Sequence, residues 1–277
     1  MGGPSSGIQS AVQSAMCNLK SAVAVLAPVA MLIGCQLDRT GQAPKFAASD
    51  EWTRSYPLTA GGQVQVVNGT GAIEVRGATG NRVEVRAERI GRAPTDQAAR
   101  ELVPRIEIRE DITPDRVLLQ TQGLGGIVIG VETSVNYHLT VPATAEVRAR
   151  SANGEVRVAD LGGRVVISSA NGPVIGANLA GGVDARSVNG NVTLDVAAFG
   201  RDPIQVRATN GSIDLALPAD ANANITATFS NGKIETGNLK VELLGEQTRR
   251  RLLGRLNAGG APIEIAAVNG NITLRAR

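Results

Sequence analysis

The sequence predicts an all-β chain: a β-solenoid with coils of 18–21 residues and short helical insertions near 95–102 and 246–256. Three observations carry that expectation. Asn-Gly recurs at 68–69, 153–154, 171–172, 189–190, 210–211, 231–232 and 269–270, and from 153 the intervals are 18, 18, 21, 21 and 38 residues. Aliphatic residues stand at fixed offsets from each Asn. Three after it are Val156, Val174, Val192, Ile213, Ile234 and Ile272; six before it are Val147, Val165, Val183, Ile204, Ile225 and Ile263. Mostly polar residues fill the positions between, giving the period of two that marks a half-buried strand.

Each unit therefore holds two short strands joined at Asn-Gly, where both residues tolerate positive φ. Gly-rich segments such as Leu161-Gly162-Gly163 and Leu179-Ala180-Gly181-Gly182 close the unit. A meander of hairpins and a solenoid both fit this pattern. The columns favour the solenoid, because stacking coils about 4.8 Å apart places like residues over like and lets each Asn amide bond the next. A meander gives no reason for the same offsets to recur through six units.

Before residue 146 the period blurs. Gln63–Val75, Asn81–Arg89, Arg105–Arg109, Val117–Thr121 and Val131–Val141 alternate like strands, and Thr95–Leu102 reads as a short helix with Ala98 and Leu102 on one face. Near the end, 246–256 (EQTRRRLLGRL) reads as an amphipathic helix or basic loop that doubles the last interval. The final residues, Leu274 to Arg277, follow a repeat strand directly. An uncapped coil edge there, guarded by Arg275 and Arg277 or paired with another chain, is the expectation.

The N-terminal segment reads as an address. Residues 1–34 carry one charge, Lys20, ahead of an apolar run from Ala22 to Ile33 that is too short to span a bilayer and suits a signal peptide. Leu32-Ile33-Gly34-Cys35 resembles the bacterial lipobox, with Cys35 the lipidated residue, and Met16 offers an alternative start. Gln36 stands where Asp would retain the protein at the inner membrane, so the expected location is the outer membrane of a bacterial cell envelope. Residues 35–50 read as a tether and 51–277 as the repeat domain, clearest over 146–277.

Composition excludes several activities. One His and two Cys cannot build a His/Cys zinc site, and lipidation of Cys35 with loss of Cys17 would leave no thiol for catalysis. Six aromatic residues and a net charge of +3 give neither stacking platforms nor the basic excess of a nucleic-acid binder. No cofactor motif is present. The Gly-rich turns lack the repeated carboxylates of calcium-binding β-rolls.

The tandem Asn-Gly-x-Val/Ile-x-Val/Leu units, led by Tyr137-His138-Leu139-Thr140-Val141-Pro142 and closed by Val268-Asn269-Gly270-Asn271-Ile272-Thr273-Leu274, resemble a bacterial envelope family of β-strand repeats of unknown function, related to adhesin head domains. The likeness covers roughly 50–277. It implies a β-solenoid, often carried on a lipoprotein or membrane anchor, and supplies no catalytic motif.

Three groups of residues are candidates for function. Arg150, Arg186 and Arg207 share one offset from Asn, with Ser168, Thr228 and Ala266 in the same column, and form a candidate surface for anionic ligands. The same arginines would alternatively discourage edge-to-edge sheet association. Asp214 and Glu235 share another offset, and adjacent coils would bring them to the separation of a retaining glycosidase pair. His138, in an alternating strand, reads as structural, and Ser168-Ser169 as surface hydroxyls. The leading expectation is thus a non-catalytic envelope lipoprotein with an adhesin-like or scaffolding surface. Its partners would be the membrane through the lipid anchor, and an envelope glycan, an anionic polymer or another envelope protein. A polysaccharide-active enzyme and an envelope-stress or signalling accessory are the alternatives.

Overall fold

Two sheets face each other across one apolar core. The computed structural model describes residues 45–124, 130–244 and 250–277. Among these residues one sheet has ten strands and the other eleven, and no barrel closes. The expected signal peptide, Cys35, the first part of the expected tether and residues 246–249 lie outside the described residues.

From Asn153 onward each coil crosses from the eleven-stranded sheet to the ten-stranded sheet at its Asn-Gly. In the Asn189 coil, Val183–Asn189 runs in the first sheet and Val192–Val196 in the second. Equivalent strands pair in parallel and in register, so that Val165, Val183 and Ile204 align, as do Asn171, Asn189 and Asn210. The aliphatic columns become inward ladders: Val147, Val165, Val183, Ile204 and Ile263 on one sheet, Val156, Val174, Val192, Ile213 and Ile272 on the other, all buried. Gly176 breaks its column for a packing reason. A Cβ there would lie 2.7 Å from Leu179 Cδ1 and 2.8 Å from Leu194 Cδ2, so two leucines fill the space its side chain leaves.

The corners hold three further ladders. Asn171, Asn189, Asn210, Asn269 and Asn231 each donate from Nδ2 to Oδ1 of the next Asn, in the order 171→153, 189→171, 210→189, 269→210 and 231→269, at 2.8–2.9 Å. Gly172, Gly190 and Gly270 have positive φ, and a Cβ on any of them would overlap the carbonyl oxygen of the glycine one coil below. The asparagines end extended strands. Though both residues tolerate positive φ, here Asn supplies an amide and Gly alone supplies the unusual backbone. Beside them Ser151, Ser169 and Ser187 are buried and donate to the carbonyls of Gly71, Gly154 and Gly172. Ser169 is therefore an inward group, while Ser168 faces out.

Asn68 belongs to this serine row, not to the amide ladder, because it pairs with Ser151 while Thr70 aligns with Asn153. Its buried amide donates to Val135 O at 2.7 Å and accepts from Thr121 Oγ1 at 3.0 Å. Thr121 also meets the hydroxyl of Tyr137 at 2.7 Å. Burial holds that phenol up at about 12, against a smaller opposing effect of the Thr121 hydrogen bond.

Sequence order and stacking order differ at both ends. The first coil in sequence, Gln63–Thr70 with Ile73–Ala78, lies between the coil of Arg116–Thr121 and Glu132–Pro142 and the Asn153 coil. The last in sequence, Ala261–Asn269 with Ile272–Ala276, lies between the Asn210 and Asn231 coils. At the second of these ends the chain runs one coil too far, turns through antiparallel capping strands, and returns to fill the gap. This corrects two expectations. Residues Arg251–Leu256 are a strand, antiparallel to Ala223–Asn231 and to Val241–Leu243, and not a helix; the apolar Leu252, Leu253 and Leu256 alternate into the sheet. The C-terminal strand is paired along its length with Ile213–Leu217 on one side and with Ile234–Glu235 over Ile272 and Thr273 on the other, so it is not the free end of the stack. Arg275 instead pairs with Asp214 at 2.9 Å and Arg277 with Asp195 at 3.1 Å.

At the other end the helix Asp96–Leu102 forms as expected, with Thr95 Oγ1 accepting from the Ala98 amide as its cap. It buries Ala99 with Leu102, not Ala98. The first strand is Phe46–Pro57, so the last five residues of the expected tether join the ten-stranded sheet.

Candidate functional site

Stacking turns one offset in the sequence into one line on the surface. Cross-strand register aligns Arg150, Ser168, Arg186, Arg207, Ala266 and Thr228 on the outer face of the eleven-stranded sheet. Arg186 and Arg207 are on adjacent strands, about 4.8 Å apart at the backbone, and Arg150 is two strands from Arg186. With Ser168, Val188 and Thr209 they line a shallow groove of about 550 Å³ that runs across the strands, along the solenoid axis.

The three arginines differ in their engagement. Arg186 holds Asp184 in a two-point bond, Nε to Oδ1 at 2.9 Å and Nη2 to Oδ2 at 2.8 Å. That hydrogen bond, with the carboxylate's charge, pushes the guanidinium pKa further up. Arg207 lies 3.9 Å from Glu264, whose carboxylate also accepts from Gln205. Arg150 and the Ser168 hydroxyl have no hydrogen-bond or ion-pair partner among the described residues. All three arginines are carried on strands inside the sheet and not at its edges. Protecting sheet edges is therefore not what these positions can do. They set guanidinium groups in a line on the outer face, two of them beside carboxylates.

The acidic pair does not form. The strand Ile272–Ala276 intervenes, so Asp214 aligns with Thr273 and Thr273 with Glu235. The two carboxylates stand two strand spacings apart, near 10 Å at the backbone, against about 5–5.5 Å between the carboxyl groups of a retaining pair. Asp214 is held by Arg275 and Glu235 by Lys233. The sequence could not show this, because equal offsets imply neighbouring coils only when stacking follows chain order.

His138 is half exposed on the outer face of the ten-stranded sheet, Nδ1 3.1 Å from Glu74 Oε2. It sits between Arg86 and Glu74 in register, in a shallow concavity also lined by Thr53 and Arg76. Among the described residues no cluster of His, Cys, Asp and Glu could hold a metal ion, and no helix is long and apolar enough to cross a membrane.

A profile of the Toastrack DUF4097 family matches residues 107–275, well over half of the sequence. The chain belongs to that family. The Toastrack match starts at the strand Ile108–Thr113 and takes in every Asn-Gly coil from Asn153 onward. The coil of residues 63–78 precedes it in sequence yet stacks inside the same array. No curated protein matches the sequence. Among solved structures, a "putative cell adhesion protein" from Clostridium sporogenes is similar at 12% identity and a TM-score of 0.52, covering 83% of this chain and 100% of its own. A "putative adhesin" from Bacteroides fragilis aligns at 12% identity and a TM-score of 0.37, covering 86% of this chain and 100% of its own. At this identity the first of these shows a shared fold.

Proposed function

We propose that this Toastrack protein is a lipid-anchored, non-catalytic component of the bacterial cell envelope, attached through Cys35, that binds a linear anionic polymer along its arginine row. The row of Arg150, Arg186 and Arg207 in its groove is the observation that carries this reading. Guanidinium groups match carboxylate and phosphate with planar, paired donors. Two of them at strand spacing, with the third two strands away, suit a chain whose charges repeat every few ångströms. Affinity then arises from several weak contacts on a rigid surface, as an adhesive or scaffolding module requires. The Clostridium sporogenes structure, a "putative cell adhesion protein", is in keeping with this reading. The lipobox at 32–35 and Gln36 support the anchor and an outer-membrane location.

Polygalacturonate and inorganic polyphosphate are the probes, with neutral dextran as the control, measured by titration calorimetry at low salt. Arg186→Ala and Arg207→Ala should each weaken binding about threefold, the effect of ~0.7 kcal/mol from an exposed charge contact. Loss of all three arginines should weaken it by more than an order of magnitude, and salt near 1 M should have a similar effect. Absence of binding to both polyanions, or equal binding by the triple variant, would overturn the assignment. Separately, Cys35→Ala should move the protein from the membrane fraction to the soluble fraction; retention in the membrane fraction would refute the anchor.

A further inference from the structure

The two-sheet stack has four edges among the described residues, and they are unequal. The ten-stranded sheet ends at Ile234–Glu235, two residues, and the eleven-stranded sheet at Val241–Leu243 and Ile108–Thr113, three and six residues. The remaining edge is the strand Phe46–Pro57, twelve residues long and paired along its whole length with Arg82–Ala93 on one side only. Alternate N–H and C=O groups of such a strand point away from its partner and present a template for another strand. Pro57 is at its end, so no proline interrupts it.

The side chains of this strand fit a second copy of themselves. A two-fold axis normal to the sheet pairs the strand with itself antiparallel, and residues on one face must meet residues on the same face. With Trp52 opposite Trp52 of the second copy, Asp50 falls opposite Arg54, Glu51 opposite Thr53, Ser49 opposite Ser55 and Ala48 opposite Tyr56. Moving the axis to Glu51 sets glutamate against glutamate. Moving it to Thr53 sets Asp50 against Tyr56 and Arg54 against Trp52. Only the Trp52 register of these three joins opposite charges.

The existing contacts of those charges extend the same pattern. Asp50 already accepts from Arg89 Nε at 2.8 Å, and Arg54 lies 3.6 Å from Glu110 and over the Trp52 ring. Both Asp50 and Arg54 keep more than a third of their side chain exposed. The pairing would therefore connect Arg89, Asp50, Arg54 of the second copy and its Glu110 in a line of alternating sign.

We propose that the Phe46–Pro57 edge is the interface of a symmetric dimer, in which the two ten-stranded sheets join through antiparallel pairing centred on Trp52. Sedimentation of the full chain in mild detergent, in a Cys17→Ala, Cys35→Ala background, should give twice the monomer mass of 28.6 kDa. Oxidation of a mixture of the Glu51→Cys and Thr53→Cys variants should yield a disulfide-linked dimer, and oxidation of either alone should not. Arg54→Asp should weaken self-association at least tenfold, and adding Asp50→Arg should restore it, which a misfolded variant would not do. A chain that stays monomeric at every soluble concentration would overturn the proposal. So would linkage by either cysteine variant alone, or a dimer indifferent to Arg54→Asp.

Discussion

Gly190→Ala is expected to destabilise the protein by more than ~3 kcal/mol, lowering the thermal midpoint by about 10 °C. Gly190 has a φ of 158°, and a Cβ would overlap the carbonyl oxygen and carbon of Gly172 and approach Pro173 N at 3.0 Å. Every one of these atoms is backbone, fixed by the stacking of the coil below, where Gly190 itself pairs next to the Asn189–Asn171 amide bond. Relief requires the coils to part, which also breaks the Ser187 bond to the Gly172 carbonyl. Gly69→Ala is the matched control. It occupies the same dipeptide, but a Cβ there meets nothing within 4 Å, and its effect should stay within about 0.5 kcal/mol. Thermal unfolding followed by far-ultraviolet circular dichroism distinguishes the two; equal midpoints would mean the corners do not stack this way.

The second large effect lies in the core. Leu194 is fully buried, and its Cδ2 occupies space that Gly176 leaves on the neighbouring strand. Leu194→Ala should therefore cost about 2–5 kcal/mol through lost burial and the cavity left behind. Gly176→Ala alone should also destabilise, because its Cβ would crowd Leu179 and Leu194 at 2.7–2.8 Å. In the double variant the new methyl group takes up part of the vacated space. The combined loss should then fall short of the sum by at least ~0.5 kcal/mol, as coupled neighbours show. Urea unfolding of the three variants measures that coupling. Strict additivity would place Gly176 and Leu194 out of contact.

These pairs show which features of the molecule were legible in the chain. Register followed directly from the offsets, since Val147, Val165, Val183 and Ile204 could align only if Asn153, Asn171, Asn189 and Asn210 did. The arginine row was legible for the same reason. The amide ladder was too, because a repeated Asn at strand spacing has a donor and an acceptor to offer its neighbours.

What the chain concealed was order along the stack. Nothing in the 38-residue interval before Asn269 says that the chain passes its own final place, caps the sheet with Arg251–Leu256, and comes back. Period alone reads as distance along the solenoid. The capping strand carries Leu252, Leu253 and Leu256 in a spacing that serves helix or strand, and the antiparallel partners that decide for strand are remote in sequence. Asp214 and Glu235 were misjudged by the same route. Asn68 was hidden differently: its Asn-Gly is local, but its buried role is set by Val135 and Thr121, more than fifty residues away.

Stacking order is thus the claim on which the arginine row, the separated carboxylates and the protected C-terminal strand all depend. Arg207 aligns with Ala266 and Ala266 with Thr228. Disulfide formation reads this order directly, because bridged Cα atoms must lie within about 4.4–6.8 Å. In a background lacking Cys17 and Cys35, Arg207→Cys with Ala266→Cys, and Ala266→Cys with Thr228→Cys, should each close a bridge within one chain. Arg207→Cys with Thr228→Cys, two strand spacings apart, should stay reduced. A bridge between positions 207 and 228, with none from either to 266, would contradict the account.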